Sequence, residues 1–268
     1  MTRLWGWLST VLIVGLVLFI GIDLLGRGWA GLSWDYFFTG PENLGREGGI
    51  GPILVSTAVI VFGATVLAGF FALATAVTYV ESIGPPWFRL VVHGILDIGV
   101  GVPRIVWGLF GGVFFGEVLG WGFSILSGIA TLACLLAPIM TTGFIAGLEQ
   151  VESRLREECR TLGVSPWIAL WGQIIPAARP AIIAATALAV ARGLGDAAAL
   201  LFTAGIATNL PQSFYDSAST LAVFVFHLLT AVPGGQSAAY AAAAILFFLT
   251  FAVQLIISGT QRKQGLAP

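Results

Sequence analysis

Charge is what this 268-residue sequence has least of. Asp, Glu, Lys and Arg make up 9% of it, against roughly 25% in ordinary soluble domains, which excludes a conventional water-solvated globule. The charges that exist are balanced, 12 basic against 13 acidic, so there is no basic surface of the kind that holds nucleic acid. Cysteine is nearly absent. Cys134 sits in an apolar run and Cys159 in a polar stretch beside arginines, a placement that suggests neither disulfide pairing nor metal ligation. No Gly-x-x-x-x-Gly-Lys-Ser/Thr loop occurs, and no stretch between the apolar runs is long enough for a nucleotide-binding or ligand-binding domain. If the protein drives a powered process, the motor is another chain.

What the sequence has in abundance is hydrophobicity, 57% of residues with a mean hydropathy of +0.96. Its 35 Gly and 12 Pro lie inside apolar runs, where membrane helices tolerate small residues and kinks. A span needs about 20 mainly apolar residues. The chain, read as one domain over residues 1–268, divides into six: Leu4 to Leu25, Ile53 to Val80, Leu90 to Phe115, Phe123 to Leu148, Ala181 to Thr203 and Ala238 to Ile257. The fold class is an all-α polytopic membrane protein. Leu221 to Val232 is too short to cross and predicts a re-entrant or surface helix on the outer face. The first span follows Arg3 without a nearby small-residue cleavage site, which predicts an anchor rather than a signal peptide.

Basic residues set the orientation. Arg3, Arg89, Arg154, Arg156, Arg160, Arg179, Arg262 and Lys263 fall on one side of this six-span scheme, Arg27 and Arg46 on the other. The positive-inside rule makes the first side cytoplasmic, with both termini and the polar segment 154–180 on it. The segments 26–49 and 206–236 then face outward. Most tryptophans lie near span ends or in interfacial segments, as amphipathic rings do; Trp107 is the one inside a span.

The segment Arg154 to Pro180 is the only long polar break. Leu155 to Leu162 reads as a short helix that Gly163 terminates, and Pro166 to Ile175 as a second, with proline suited to its first turn. Leu155, Leu162, Trp167, Ile168, Trp171 and Ile175 would be buried against a partner or other helix ends. Glu157, Glu158 and Cys159, then three residues, Gly163, nine residues, and Gln173, Ile174, Ile175 and Pro176 resemble the Glu-Ala-Ala loop of bacterial ABC importer permeases. Two alanines of that motif are replaced by Glu158 and Cys159. In that family the loop is a coupling helix that inserts into an ATPase. The resemblance therefore implies a coupling surface at Arg156, Glu157, Glu158, Gly163 and Pro176, and a chain that is not itself an enzyme. It implies no cofactor on this chain, with ATP and Mg on the partner ATPase.

Three further segments narrow the likeness. Glu47-Gly-Gly-Ile50, Val102-Pro103-Arg104-Ile-Val-Trp-Gly-Leu-Phe110 and Ala191-Arg-Gly-Leu-Gly-Asp-Ala-Ala-Ala-Leu-Leu-Phe-Thr-Ala204 look like the PstA-type permease of the phosphate importer. The last differs from the family's usual run at Asp196, Ala197 and Ala199, which stand for Glu, Thr and Pro. The resemblance implies a six-helix type I ABC importer permease (MetI-like) fold in a bacterial inner membrane and alternating-access import of inorganic phosphate. It also implies three kinds of protein partner: a PstC-type sister permease, two ATPase subunits and a phosphate-binding protein outside.

Candidate path residues follow. Arg192 lies about 18 Å along the fifth span, where an unpaired charge costs at least ~2.5 to 3.5 kcal/mol. Asp196, four positions on, would share its face. The pair is either a structural clamp or a phosphate contact with Asp196 tuning the arginine. In the third span, His93, Asp97 and Arg104 fall near one face at spacings of four and seven, with Pro103 kinking the helix. Asp97 matches an acidic residue common in the family, and His93 reads as a satisfied buried group. Arg104 departs from the family's serine. The family's fourth-span Arg-Thr-Thr-Glu run is replaced by Thr142, Gly143, Phe144 and Ile145, so Arg104 is read as supplying the second intramembrane positive charge. Ser56, Thr57, Thr65, Thr75 and Thr78 are expected to bond to their own helix. Other readings stay open: a sulfate, molybdate, tungstate or phosphonate permease, a proton-coupled carrier using Asp97, His93 and Asp196, or a non-transporting scaffold.

Overall fold

The structure, a computed structural model, describes residues 2–81, 85–151 and 153–262; Lys263 of the orientation count lies outside them. Apolar runs become helices because lipid offers backbone groups no other partner. Helix α1 (Thr2–Gly28) leads to a connecting segment with a two-residue hairpin, β1 (Pro41–Glu42) against β2 (Glu47–Gly48). Then come α2 (Gly51–Val80), α3 (Pro86–Gly101), α4 (Arg104–Gly111, running on through a π-helical turn to Val118) and α5 (Ile125–Glu149). After the short α6 (Ser153–Thr161), α7 (Pro166–Ala169) passes through a π-helical turn into α8 (Ile175–Leu194). The chain closes with α9 (Leu221–Thr230) and α10 (Gln236–Arg262).

The centre of the bundle is the pair α2 and α5. Ile60, Ala64, Ala68, Ala72 and Ala76 repeat every four residues on α2 and are at most 1% exposed; such a small-residue ladder lets backbones approach closely in lipid. Gly63 lies against Ile129 and Gly69 against Met140, so the two helices run parallel. α8 packs antiparallel against α5, with Gly143 against Ala185 and Gly147 against Ala181. α1 and α10 are also antiparallel, with Gly21 at Phe247 and Gly28 at Ala241.

Two spans differ from the sequence expectation. Among the described residues five helices are long and apolar enough to cross, and the third expected span, 90–115, is instead a pair of helices bent by 102° at Gly101 to Pro103. Pro103 removes a backbone donor, and Val102 before it is extended at φ −65° and ψ 129°. Because α2 and α5 run parallel, α3 and α4 together still return the chain across the bundle, and the pair counts as the sixth crossing. The fifth expected span, Ala181 to Thr203, is corrected at both ends: the crossing helix runs from Pro166 to Leu194. Hydropathy stays high through Thr203, but Gly195 leaves the helix at φ −88° and ψ 3°, and Asp196 Oδ1 accepts from the Ala199 amide at 3.0 Å. That carboxylate starts a new turn, and residues 195–220 form an irregular segment instead of membrane helix.

This segment closes one end of the bundle. The amides of Ser124, Ile125 and Leu126, at the start of α5 where a helix lacks internal partners, donate to the carbonyls of Thr203, Asp216 and Phe214 at 3.0 Å each. α9 is tucked beside it, with Leu221, Val223, Phe224 and Leu228 buried and Phe226 and Leu229 exposed, so one face of the short apolar run packs into the bundle. The segment before α2 packs there through Tyr36 and Ile50, and burial pushes the Tyr36 phenol up to about 12. Glycine is required at Gly48, which turns at φ +79° with the Glu42 amide 2.9 Å from where a Cβ would stand.

Candidate substrate path and coupling surface

Arg192 stands in the last turn of α8, two residues before the break, where the helix dipole favours a cation. Its exposed side chain lines a groove of about 690 Å³ between α3, α5, α8 and α10, together with Val100, Thr142, Gln150 and Gln254. A second cavity of about 480 Å³ between α8 and α10 meets it at Leu188, Arg192 and Gln254. Among the described residues Arg192 has no ion-pair partner. A guanidinium with free donors, in a groove that also carries hydroxyl and amide groups within an apolar bundle, is suited to receive an oxyanion.

The expected Arg192–Asp196 pair does not form. The helix ends between them, and Asp196, fully buried, turns its Oδ2 to Arg104 Nη1 at 3.5 Å. Arg104 is the first residue of α4, just past the bend, and is 39% exposed. Close backbone contact holds α4 to the segment beyond α8: a Cβ on Gly108 would meet Ala199 Cα at 2.9 Å. The ion pair thus ties the broken helix to the closing segment while leaving part of the Arg104 guanidinium open.

His93 and Asp97 keep their spacing, with His93 Nδ1 2.9 Å from Asp97 Oδ2. Their side chains are 68% and 70% exposed, so His93 is partnered but not buried. The bend carries Arg104 away to Asp196, and the single polar stripe expected of His93, Asp97 and Arg104 is therefore divided in two. Four of the five Ser and Thr hydroxyls of α2 behave as anticipated: Ser56, Thr57, Thr65 and Thr78 each donate to the carbonyl four residues back at 2.6–2.9 Å. Thr57 also accepts from the Leu221 amide at 2.9 Å, a contact across the chain that no local pattern reveals.

At the opposite end, α6 closes with a Schellman turn: the Val164 amide donates to Cys159 O and the Gly163 amide to Arg160 O, with Gly163 at φ +68°. Ser165 caps α7 by accepting from the Ile168 amide. Glu157, Glu158 and Gly163 are exposed, as are Leu162, Trp167 and Ile168 at 64–79%. Pro176 is exposed in the first turn of α8. Arg156 turns inward instead, donating to Glu81 and to Leu148 O. Sequence reasoning missed Glu81, Gln150 and Gln254; an isolated amide in the apolar run of α10 was a usable signal for the last.

The family described as binding-protein-dependent transport system inner membrane component matches residues 70–263. A probable ABC transporter permease of Bacillus subtilis, YqgI, is 28% identical over 250 residues, covering 88% of this chain and 84% of that protein. The phosphate transport system permease PstA 2 of Mycobacterium tuberculosis is 26% identical over 212 residues, 78% of this chain and 69% of its own length. Among solved structures, an inward-facing MetNI methionine ABC transporter superposes with a TM-score of 0.62 at 18% identity, covering 81% of this chain and 97% of that one. At that identity the likeness shows the fold, which is that of MetI-like permeases.

Proposed function

We infer the function of this chain from the family to which it belongs, the binding-protein-dependent transport system inner membrane components, and from the groove that Arg192 lines. The chain is a multi-pass permease subunit of an ABC importer. Its cargo, on our reading, is inorganic phosphate. The observation that carries this is Arg192: an exposed guanidinium without an ion-pair partner among the described residues, in a groove that Thr142, Gln150 and Gln254 also line. Guanidinium donors meet oxyanion oxygens in charge-assisted pairs. The PstA 2 relative, named a phosphate permease, supports the same cargo.

In this account the open groove is completed by a sister permease of the PstC type, and Asp97 on the exposed side of α3 faces it. Arg104 offers a second positive charge while Asp196 holds it in place. The basic side of the bundle is cytoplasmic by the positive-inside rule, which puts both termini and α6 there. ATP and Mg act on two separate ATPase subunits that receive Glu157, Glu158 and the turn at Gly163. A phosphate-binding protein delivers cargo to the outer end formed by 26–49 and 195–220. Closure of the ATPases shifts the permease between outward- and inward-open states, and contacts to the anion stay weak enough for release.

Thr142, standing where the family carries arginine, favours a second reading in which the anion is sulfate or another oxyanion. Purified complex in proteoliposomes separates the two. ATP-dependent uptake of labelled phosphate, undiminished by excess sulfate, is the expected result. Sulfate uptake that excludes phosphate overturns the cargo, and uptake without an ATPase subunit overturns the importer assignment.

A further inference from the structure

Arg156 belongs to α6, yet its side chain serves the bundle. Nη1 donates to Glu81 Oε1, one residue past the end of α2, and Nη2 donates to Leu148 O in the last turn of α5 at 2.8 Å. The two charged side chains are 20% and 22% exposed. Apart from this fork, α6 rests mainly on α7 and the turn after it, beside a cavity of about 570 Å³ lined by Cys159, Val164, Trp167 and Leu170. One planar guanidinium joins three elements, a geometry that lysine cannot reproduce.

The two helices it grips reach the far end of the molecule. There α2 accepts the Leu221 amide through Thr57, and the first amides of α5 are held by Thr203, Phe214 and Asp216. Between the ends, α2 and α5 are locked along the alanine ladder. A displacement of α6 that is held rigidly to α2 and α5 therefore moves the supports of the closing segment, whereas a displacement that is not so held is absorbed in the connections around α6.

We propose that Arg156 and Glu81 are a positioning pair that makes α2 and α5 move with α6, delivering the motor's stroke to segment 195–220. This rests on the reading of α6 as the ATPase-facing helix. Neither residue touches cargo or nucleotide; both act through the helices they join. Without the pair, ATP hydrolysis continues while transport per ATP falls.

The test uses the whole complex, purified through this chain with its sister permease and ATPase and reconstituted in vesicles. ATP hydrolysed and phosphate taken up are measured together for wild type, Glu81→Gln, Arg156→Gln and Arg156→Lys. The two Gln variants are expected to keep hydrolysis and lose about fivefold or more in uptake per ATP, the lower bound of ordinary site-to-site coupling. Arg156→Lys, which keeps the charge but not the fork, falls between. A merely structural role lowers complex yield, hydrolysis and uptake together at constant ratio, and that outcome or an unchanged ratio overturns the proposal. Hydrogen exchange at the amides of Ser124 to Leu126, with and without a nucleotide analogue, gives a readout independent of cargo. A nucleotide response present in wild type and lost in the variants supports the pair, and a response retained in them refutes it. Wild-type vesicles that take up no phosphate refute the cargo reading alone.

Discussion

Replacing Gly163 by alanine isolates the backbone requirement of the coupling turn. Gly163 has φ +68°, and a Cβ placed on it meets nothing within 4 Å, so the substitution introduces no clash. The cost is conformational only, about 1–2 kcal/mol for an L residue in the left-handed region. At 1.4 kcal/mol per tenfold, that lowers the equilibrium constant for the native turn about five- to thirtyfold. The turn lies between exposed Glu158 and exposed Trp167, outside the helix-packed core, so thermal unfolding of the spans in detergent stays near wild type. Affinity for the ATPase, titrated onto the permease in nanodiscs, weakens by up to that factor, because only the turned conformer presents α6 and α7 together. Gly163→Asn recovers much of the loss, since asparagine tolerates this conformation. Wild-type affinity for the alanine variant, or an asparagine variant as weak as alanine, refutes the reasoning.

Two further substitutions test the supports of the closing segment. Asp196→Ala orphans the buried Ala199 amide as well as releasing Arg104, and costs about 1–3 kcal/mol in denaturant unfolding; Asp196→Asn keeps the acceptor and costs less. Equal losses in the two variants contradict the assignment of Asp196 Oδ1 as the start of the new turn. Thr57→Val leaves the Leu221 amide without its acceptor, a loss of about 1–3 kcal/mol read as faster hydrogen exchange at the start of α9. Thr57→Ser preserves slow exchange, and equal exchange rates in the two variants tell against the contact.

The crossing helices and the coupling segment were legible in the sequence because each writes its physics locally: long apolar runs for the first, and Gly163 with Pro166 around a polar stretch for the second. The end of α8 was not legible. Hydropathy does not distinguish membrane helix from irregular chain covered by protein, and Ala197 to Thr203 are as apolar as a span. The only local signals were Gly193 and Gly195 with Asp196 behind them. The partner of Asp196 lay on α4 rather than one turn away, since the helix that would have aligned it with Arg192 had already ended. Arg156 and Glu81, 75 positions apart, meet only because the parallel packing of α2 and α5 brings their ends together.

The central claim is that Arg192 meets the transported oxyanion. Its most direct test is ATP-driven uptake of labelled phosphate by complexes carrying Arg192→Gln, at matched complex assembly and ATPase binding. A charge-assisted hydrogen bond contributes about 1.5–3 kcal/mol, so uptake falls about tenfold or more in the glutamine variant and partly returns with Arg192→Lys. Wild-type uptake by an assembled Arg192→Gln complex contradicts the account.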